Sequence, residues 1–502
     1  MATSQLSWQA PTTTARGPAA IGIFLVAASM LMLAIVLGFS TYLGRGGVAT
    51  MLVIASGGFF LVLAQPSFAV LILISTLLLP YPETLIGHGL LTINNLLGVT
   101  LLLIMLVRIY MSHDMWFLRE RELRILLLIF LSALLLTFIA EVILPIASNT
   151  SLIVETKSGL FRPARDLTAR RFKDFFSRIA FFTFFIYFIS TKKQVKWVLF
   201  ALLACILFAL PPAFSNLMND LTNDFRVTAK FALGGDDSGG WLSNANRFAF
   251  MCLIGMSLLF YLSAITKNRL LTLVTIPLSL AFATLILFSG SRSGLLSLLV
   301  TGGWLLMRSG AMSWQARFGA SLFVLIAALS IFPTLPPRLQ ERLLNINPFN
   351  PEGEGTNSTE VRVATVVEGM ELFAQYPFTG VGIGNFRWVN FYYNDNFKPP
   401  HNSYVWVLSE GGIICTALYG LLFFSLFKRL RTIRRLYRDD PDLPHIGEWL
   451  SFYLVGFLFF SFFADIWLEE PHLYFIAGLT IVVHRLSTQE TINAPSSSRI
   501  LH

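Results

Sequence analysis

The chain has 502 residues, of which 55% are hydrophobic and 13% are charged. The apolar residues form repeated runs of about 17–22 residues, each long enough to cross a bilayer, which excludes a soluble globular protein. The net charge of +9 does not indicate nucleic-acid binding, because no basic patch is interleaved with aromatic residues. We therefore predict an all-α, polytopic integral membrane protein whose basic loops set its orientation.

About fourteen spans are predicted in chain order. A polar tail, residues 1–19, precedes the first apolar run, which lacks a convincing cleavage site and is interpreted as a retained helix. Spans 1–11 lie within residues 20–332, spans 12–14 lie within residues 403–485, and residues 486–502 form a second tail. The predicted spans are residues 20–39, 48–64, 67–80, 96–110, 123–145, 175–190, 195–211, 246–266, 270–289, 292–307, 317–332, 403–427, 449–465 and 471–485.

Lysine and arginine in the loops predict the orientation. The segment Lys428–Arg438 carries six basic residues and is expected to be cytoplasmic. Alternation along the chain then places the basic loops 108–124, 191–196 and 266–269 on the same side. Both termini are consequently cytoplasmic, and the loops 146–174, 212–245 and 333–402 face the opposite side.

The loop 146–174 is basic although it is predicted to lie outside. Its cationic residues are Arg162, Arg165, Arg170, Arg171 and Lys173. One interpretation is an interfacial amphipathic helix that rests on anionic headgroups. The other is a site that attracts a polyanion from the outer face of the membrane, and the two are compatible.

Arg292 lies in the segment Phe288–Gly294, between two long apolar runs. An ionisable residue at such depth indicates a functional site, because an unpaired guanidinium is costly there. The flanking glycine and serine residues allow the backbone to approach a ligand closely. The phosphate of a lipid carrier is the ligand we expect.

The outer loop 333–402 is predicted to be partly helical, with a helix over residues 358–373. It ends in Pro399-Pro400-His401, directly before the helix that carries Glu410. An imidazole titrates near neutrality, so His401 is a candidate general base. Glu410 is either a functional group or a buried hydrogen-bonding residue between helices.

The segments Gly290–Gly294, Tyr376–Asn385 and His401–Tyr404, followed by Glu410, resemble the O-antigen ligase/polymerase family of bacterial inner-membrane proteins over roughly residues 220–425. The resemblance implies a GT-C-like fold and an inverting glycosyltransferase that needs no metal or other cofactor. It also implies a glycan donor carried on undecaprenyl diphosphate, with the active site at the periplasmic face.

The resemblance assigns roles to particular residues. His401 becomes the general base, and Arg292 becomes a catalytic residue that binds the diphosphate. The further candidates are Arg226, Arg362, Arg165 and Arg178 for the diphosphate, and Glu410, Asn402 and Tyr404 as supporting residues.

The leading hypothesis is a polymerase that joins lipid-linked repeat units into O-antigen or exopolysaccharide, since about fourteen spans exceed the roughly twelve more usual for ligases of the family. The alternative is a ligase that transfers the glycan to lipid A–core or to protein. A lipid-linked sugar transporter is less favoured, because no internal repeat is evident. The expected partners are the lipid-linked glycan, an acceptor and membrane lipids; a flippase and a chain-length regulator stay open.

Overall fold

The computed structural model divides into two compact units, residues 1–69 and 70–502. The first is described only at residues 62–69, and all relationships below lie within the second. The predicted span 20–39, most of spans 48–64 and 317–332, both tails and Arg226 lie outside the described residues. The described residues are 62–78, 93–144, 153–155, 161–211, 213–214, 244–266, 269–308, 330, 333, 337, 340, 356–394, 396–436, 440, 442–464, 466–468 and 470–493.

The regular secondary structure of the described residues is helical apart from two short strands, which confirms the helical class. The strands β1 (Ile153–Glu155) and β2 (Phe161–Pro163) pair antiparallel, with Val154 opposite Arg162. A single-turn 3₁₀ helix covers Trp116–Arg119. The α-helices are α1 (Pro66–Leu78), α2 (Ile93–Ser112), α3 (Arg121–Ile143), α4 (Ala164–Phe188), α5 (Lys192–Phe208), α6 (Ala245–Thr266), α7 (Arg269–Phe288), α8 (Arg292–Arg308), α9 (Thr356–Gln375), α10 (Phe386–Asn394), α11 (Ser403–Leu436), α12 (Leu443–Phe460) and α13 (Pro471–Asn493).

Within the described part of the chain, six helical segments are long and apolar enough to cross a membrane. Several of these helices also present bare apolar side chains on their outer faces: Phe138 is 65% exposed on α3, and Leu273 is 73% exposed on α7. Such a surface is stable in lipid and not in water. The protein is thus a membrane protein, while the total of about fourteen spans stays a prediction. The six segments are Asn94–Ser112, Arg121–Ile143, Ala245–Ser263, Arg269–Phe288, Ser403–Arg435 and Leu443–Phe460.

Helix α4 begins well before the predicted span 175–190. It starts at Ala164 and continues without a break to Phe188, so the end of the predicted loop 146–174 is part of a long helix. Phe175, Phe182 and Phe185 on this helix are fully buried. The basic residues of the segment are therefore carried into the bundle by a helix anchored in the aromatic core.

An aromatic core joins α6, α12 and α13. The rings of Phe250 and Phe460 stack with centroids 4.7 Å apart, and Trp449 donates a hydrogen bond from its indole nitrogen to Ser257 at 3.2 Å. Large buried aromatic side chains contribute strongly to packing. This core fixes the start of α13 against α6 and α12, where the candidate site is found.

Ion pairs connect the basic loops at one end of the bundle. Lys192 Nζ lies 2.5 Å from Asp440, and Lys196 Nζ lies 2.6 Å from Asp442. Arg429 donates hydrogen bonds at 2.7 Å to the carboxylates of Glu120 and Glu122. The loops near residues 120, 192 and 440 thus share one end, and the assignment of that end to the cytoplasm stays a prediction.

Candidate active site

A polar cavity of about 240 Å³ lies at the starts of α6, α11 and α13. It contains three guanidinium groups and two carboxylates, an unusual collection for a protein with so few charges. Tryptophan rings and apolar residues form the rest of the wall. The lining residues are Leu77, Arg171, Asp174, Arg178, Arg247, Trp406, Ile466, Trp467, Glu470 and Pro471.

Arg171, Asp174 and Arg178 all come from α4. Their spacing of three and four residues places them along one face of that helix. The guanidinium of Arg171 lies over the Trp406 ring, 4.5 Å from its centroid, and 3.9 Å from the Glu410 carboxylate. The indole and the carboxylate therefore fix this cation against α11.

Glu410 is the best-connected carboxylate beside the cavity, and only 1% of it is exposed. One carboxylate oxygen accepts a hydrogen bond from the backbone N–H of Phe386 at 3.3 Å, and the other accepts one from the Trp467 indole at 3.1 Å. With Arg171 it forms a junction of four chain segments. Glu410 is thus a buried hydrogen-bonding residue, and a direct functional role for it stays a prediction.

A glycine loop, Gly380–Asn385, packs on an interruption of α11. Gly412 has φ 60° and ψ −167°, so the helix breaks there. The backbone N–H groups of Val381 and Gly382 donate to the carbonyls of Ser409 and Glu410 at 2.8 and 3.0 Å. Those bonds satisfy carbonyls near the break, as a membrane-embedded segment requires. Asn385 also accepts a hydrogen bond from Thr168 of α4 at 3.1 Å.

His401 immediately precedes the cap of α11. Its backbone is left-handed, with φ 47°, and Asn402 caps the helix by accepting from the N–H groups of Tyr404 and Val405 at 3.0 and 3.2 Å. Ser403 donates its hydroxyl to the Ala464 carbonyl at 2.7 Å and accepts from the N–H of Ile466 at 3.0 Å. The start of α11 is thus fastened to the loop that carries cavity residues, although His401 itself is not among the described lining residues.

Arg292 is the first residue of α8 and is partly buried. The preceding Ser291 donates its hydroxyl to the Asn246 side chain at 2.7 Å, which joins the start of α8 to the start of α6. Arg247 follows Asn246 and lines the cavity. Arg292 therefore lies beside the element that supplies a cavity cation, and it is not among the described lining residues.

The remaining predicted residues are dispersed. Arg362 is partly buried on α9, and Arg165 lies in the first turn of α4. The Tyr404 hydroxyl donates to the Leu458 carbonyl at 2.7 Å, which is a packing role. Of the predicted diphosphate ligands that the structure describes, Arg178 is found in the cavity wall.

Sequence reasoning missed Arg247, Asp174, Trp406, Trp467 and Glu470 as site residues. Arg247 had a readable signal, because it is an ionisable residue in the first turn of a predicted span, directly after Asn244-Ala-Asn246. Glu470 also had one, since it is an ionisable residue between two predicted spans. No pattern in the sequence brings these separate segments together.

The arrangement suits an anionic ligand. Guanidinium groups bind phosphate oxygens through paired, charge-assisted hydrogen bonds. The capped starts of α6 and α11 add the positive ends of their helix dipoles. Among the residues that the structure describes, no three His, Cys, Asp or Glu side chains are grouped so as to hold a metal ion.

The comparison with known families agrees with the resemblance. Residues 277–420 match the family model described as O-antigen ligase. The matched segment includes Arg292, Arg362, His401 and Glu410, whereas of the described cavity residues it includes Trp406 alone. No curated protein matches the chain significantly. The chain therefore carries, at residues 277–420, a domain of the O-antigen ligase family of glycosyltransferase-like enzymes.

Proposed function

We propose that the protein transfers a glycan from undecaprenyl diphosphate and acts as a polymerase of lipid-linked repeat units. The observation that carries this proposal is the convergence of Arg171, Arg178 and Arg247 on one cavity at the starts of α6 and α11. The three guanidinium groups outnumber the two carboxylates of the same cavity wall, and guanidinium groups bind phosphate oxygens through charge-assisted hydrogen bonds. A lipid diphosphate supplies that charge and arrives through the membrane.

The chemistry follows from the residue types. Breaking the sugar–phosphate bond releases a diphosphate, and the guanidinium groups stabilise the negative charge that develops on it. His401 accepts the proton of the attacking acceptor hydroxyl, and Arg292 binds the leaving diphosphate. Attack opposite the leaving group inverts the anomeric centre, and the reaction in this form uses no metal.

The proposal places the site at the periplasmic face of a bacterial inner membrane. The position of the ion-paired basic residues supports this orientation. Lys192 and Lys196 follow the end of α4 and pair with Asp440 and Asp442, whereas Arg171 lies near the start of that helix. The finished polysaccharide is then released on the side from which it is exported.

A ligase is the second candidate, because the matched family model is described as O-antigen ligase. In that case the acceptor is lipid A–core and the donor is a finished polymer. The same cavity and the same base serve both reactions, since only the acceptor differs.

Substitution of His401 and of Arg292 by alanine tests both candidates. His445→Ala and Arg431→Ala are matched controls, since both residues are exposed near the far end of α11. Each variant is expressed at normal level, and the polysaccharide and its lipid-linked precursor are followed by gel electrophoresis. Loss of long polymer with persistence of single units indicates a polymerase. Accumulation of full-length undecaprenyl-linked polymer indicates a ligase. Normal product from both site variants contradicts the catalytic proposal and favours transport.

A further inference from the structure

A second group of polar residues lies behind the cavity, and it joins Glu470 to the aromatic core. Glu470 is 4% exposed and lines the cavity. His472 and Tyr453 are fully buried behind it. The Tyr453 hydroxyl is hydrogen-bonded to His472 Nδ1, and His472 Nε2 lies 3.9 Å from the Glu470 carboxylate.

The backbone N–H of His472 donates a hydrogen bond to the same Glu470 oxygen at 3.4 Å, and the His472 ring packs beside that oxygen. The His472 ring packs on Phe250, with centroids 5.9 Å apart and planes at 77°, so it has little freedom to rotate. A polar side chain this deep, backed by a tyrosine and a histidine, is costly to bury and requires a compensating role.

A carboxylate does not bind phosphate, because the two charges repel. Glu470 nevertheless shares the cavity with the three arginines that suit a diphosphate. A ligand group that faces Glu470 would therefore have to donate hydrogen bonds. Sugar hydroxyls do so, and Trp467 and Ile466 add apolar surface to the same wall.

We propose that Glu470 binds a hydroxyl group of the glycan next to the diphosphate, and that His472 and Tyr453 are positioning residues for its carboxylate. This inference rests on the proposed function, and it divides the cavity into a cationic half for the diphosphate and an acidic half for the first sugar. Asp174, which lies between Arg171 and Arg178 on α4, belongs to the cationic half as their counter-charge.

A ligand without sugar distinguishes binding of the diphosphate from binding of the first sugar. Binding of undecaprenyl diphosphate to the purified full chain is measured by native mass spectrometry. Transfer is measured with lipid-linked glycan extracted from cells that lack this protein. Glu470→Gln should leave the Kd for undecaprenyl diphosphate within about two-fold of wild type and lower kcat/KM for the glycan donor about 10-fold to 100-fold, the loss of a charge-assisted hydrogen bond.

Two further variants serve as comparisons, one in the diphosphate-binding wall and one on the surface. Arg178→Ala should weaken binding of undecaprenyl diphosphate itself, and the exposed Glu371→Gln should change neither measurement. If Glu470→Gln weakens binding of the sugar-free lipid as much as Arg178→Ala does, Glu470 only orders the arginines and the inference is overturned. If Arg178→Ala binds that lipid normally, the proposed function fails instead.

Tyr453→Phe tests the positioning role and keeps the ring in the core. It should lower kcat/KM for the glycan donor several-fold, with unchanged binding of undecaprenyl diphosphate. In the double variant the two effects should not multiply, because both act through one carboxylate. The positioning role is overturned if the two losses of kcat/KM multiply in the double variant. It is also overturned if the Tyr453→Phe enzyme transfers the glycan normally. Should Glu470→Gln not fold, the selectivity of Tyr453→Phe between the two ligands decides the question alone.

Discussion

The Glu410 carboxylate lies 3.9 Å from the Arg171 guanidinium and accepts a hydrogen bond from the Trp467 indole at 3.1 Å. This one residue therefore connects α4, α11 and the loop before α13, the three segments that surround much of the cavity. Because it is buried and charged, its loss leaves several partners unsatisfied at once.

Replacing Glu410 by alanine should destabilise the protein by about 3–5 kcal/mol, the usual result of removing one partner of a buried ion pair. Glu410→Gln should be milder, although the amide nitrogen that replaces one carboxylate oxygen cannot accept the hydrogen bond from Phe386 or Trp467 made to that oxygen. Thermal unfolding in detergent, followed by size-exclusion chromatography, measures both variants. Wild-type stability of Glu410→Ala would show that the Arg171 contact contributes nothing.

Replacing Arg178 or Arg247 by alanine should reduce transfer about 10²–10³-fold, the typical cost of removing one group that stabilises developing charge. Folding should be little affected, since both residues are only partly buried. The measurement is the rate of product formation with saturating donor. Arg431→Ala serves as the control, and equal rates in all three variants would exclude a role for the cavity.

Replacing Gly412 by alanine should disturb the break in α11 on which the loop Gly380–Asn385 packs. Its φ of 60° and ψ of −167° are accessible essentially to glycine, and an added Cβ would lie 2.4 Å from the Phe378 carbonyl oxygen. We expect a loss of at least about 1–2 kcal/mol from the backbone alone, together with loss of activity.

Gly420→Ala is the matched control on the same helix, because no atom lies within 4 Å of a Cβ at that position. It should be neutral or slightly stabilising, as alanine favours helix over glycine. Thermal unfolding of the two variants side by side gives the test. Equal melting temperatures would contradict the interruption of α11 at Gly412.

The Lys192–Asp440 pair predicts a dependence of stability on pH at the other end of the bundle. Burial raises the pKa of Asp440. Hydrogen bonds from Lys192 and from the backbone N–H groups of Leu443 and Asp442 lower it by a larger amount, so the pKa of Asp440 is below its usual value. A carboxyl with a depressed folded pKa stabilises the fold above its unfolded pKa of about 4 and loses this contribution as the pH falls through the folded value.

Unfolding temperatures measured between pH 7 and pH 3 should therefore decline less steeply in Asp440→Asn than in the wild type. The exposed Glu371→Gln provides the comparison, and it should keep the wild-type slope. Parallel curves for all three proteins would show that the pair with Lys192 does not persist in solution.

The helices could be predicted from the sequence because each apolar run is long and separated by polar loops. The predicted start of span 403–427 agrees with the start of α11 at Ser403. The cavity was not predictable, because Arg171, Arg247 and Glu470 lie on distant segments and face one another only after the helices have rotated and packed. The family resemblance directed attention to Arg292 and His401, and Arg178, one of its further candidates, lines the cavity.

Most of the described cavity residues lie outside residues 277–420, the part that matches the family model. A chimera that exchanges only this segment between two homologous enzymes would retain the host's Arg171, Arg178, Arg247 and Glu470. Under the proposed function, the donor specificity of such a hybrid should follow the host, while the acceptor specificity should follow the inserted segment. A new glycan preference would then be sought by changes in α4, α6 and the loop before α13.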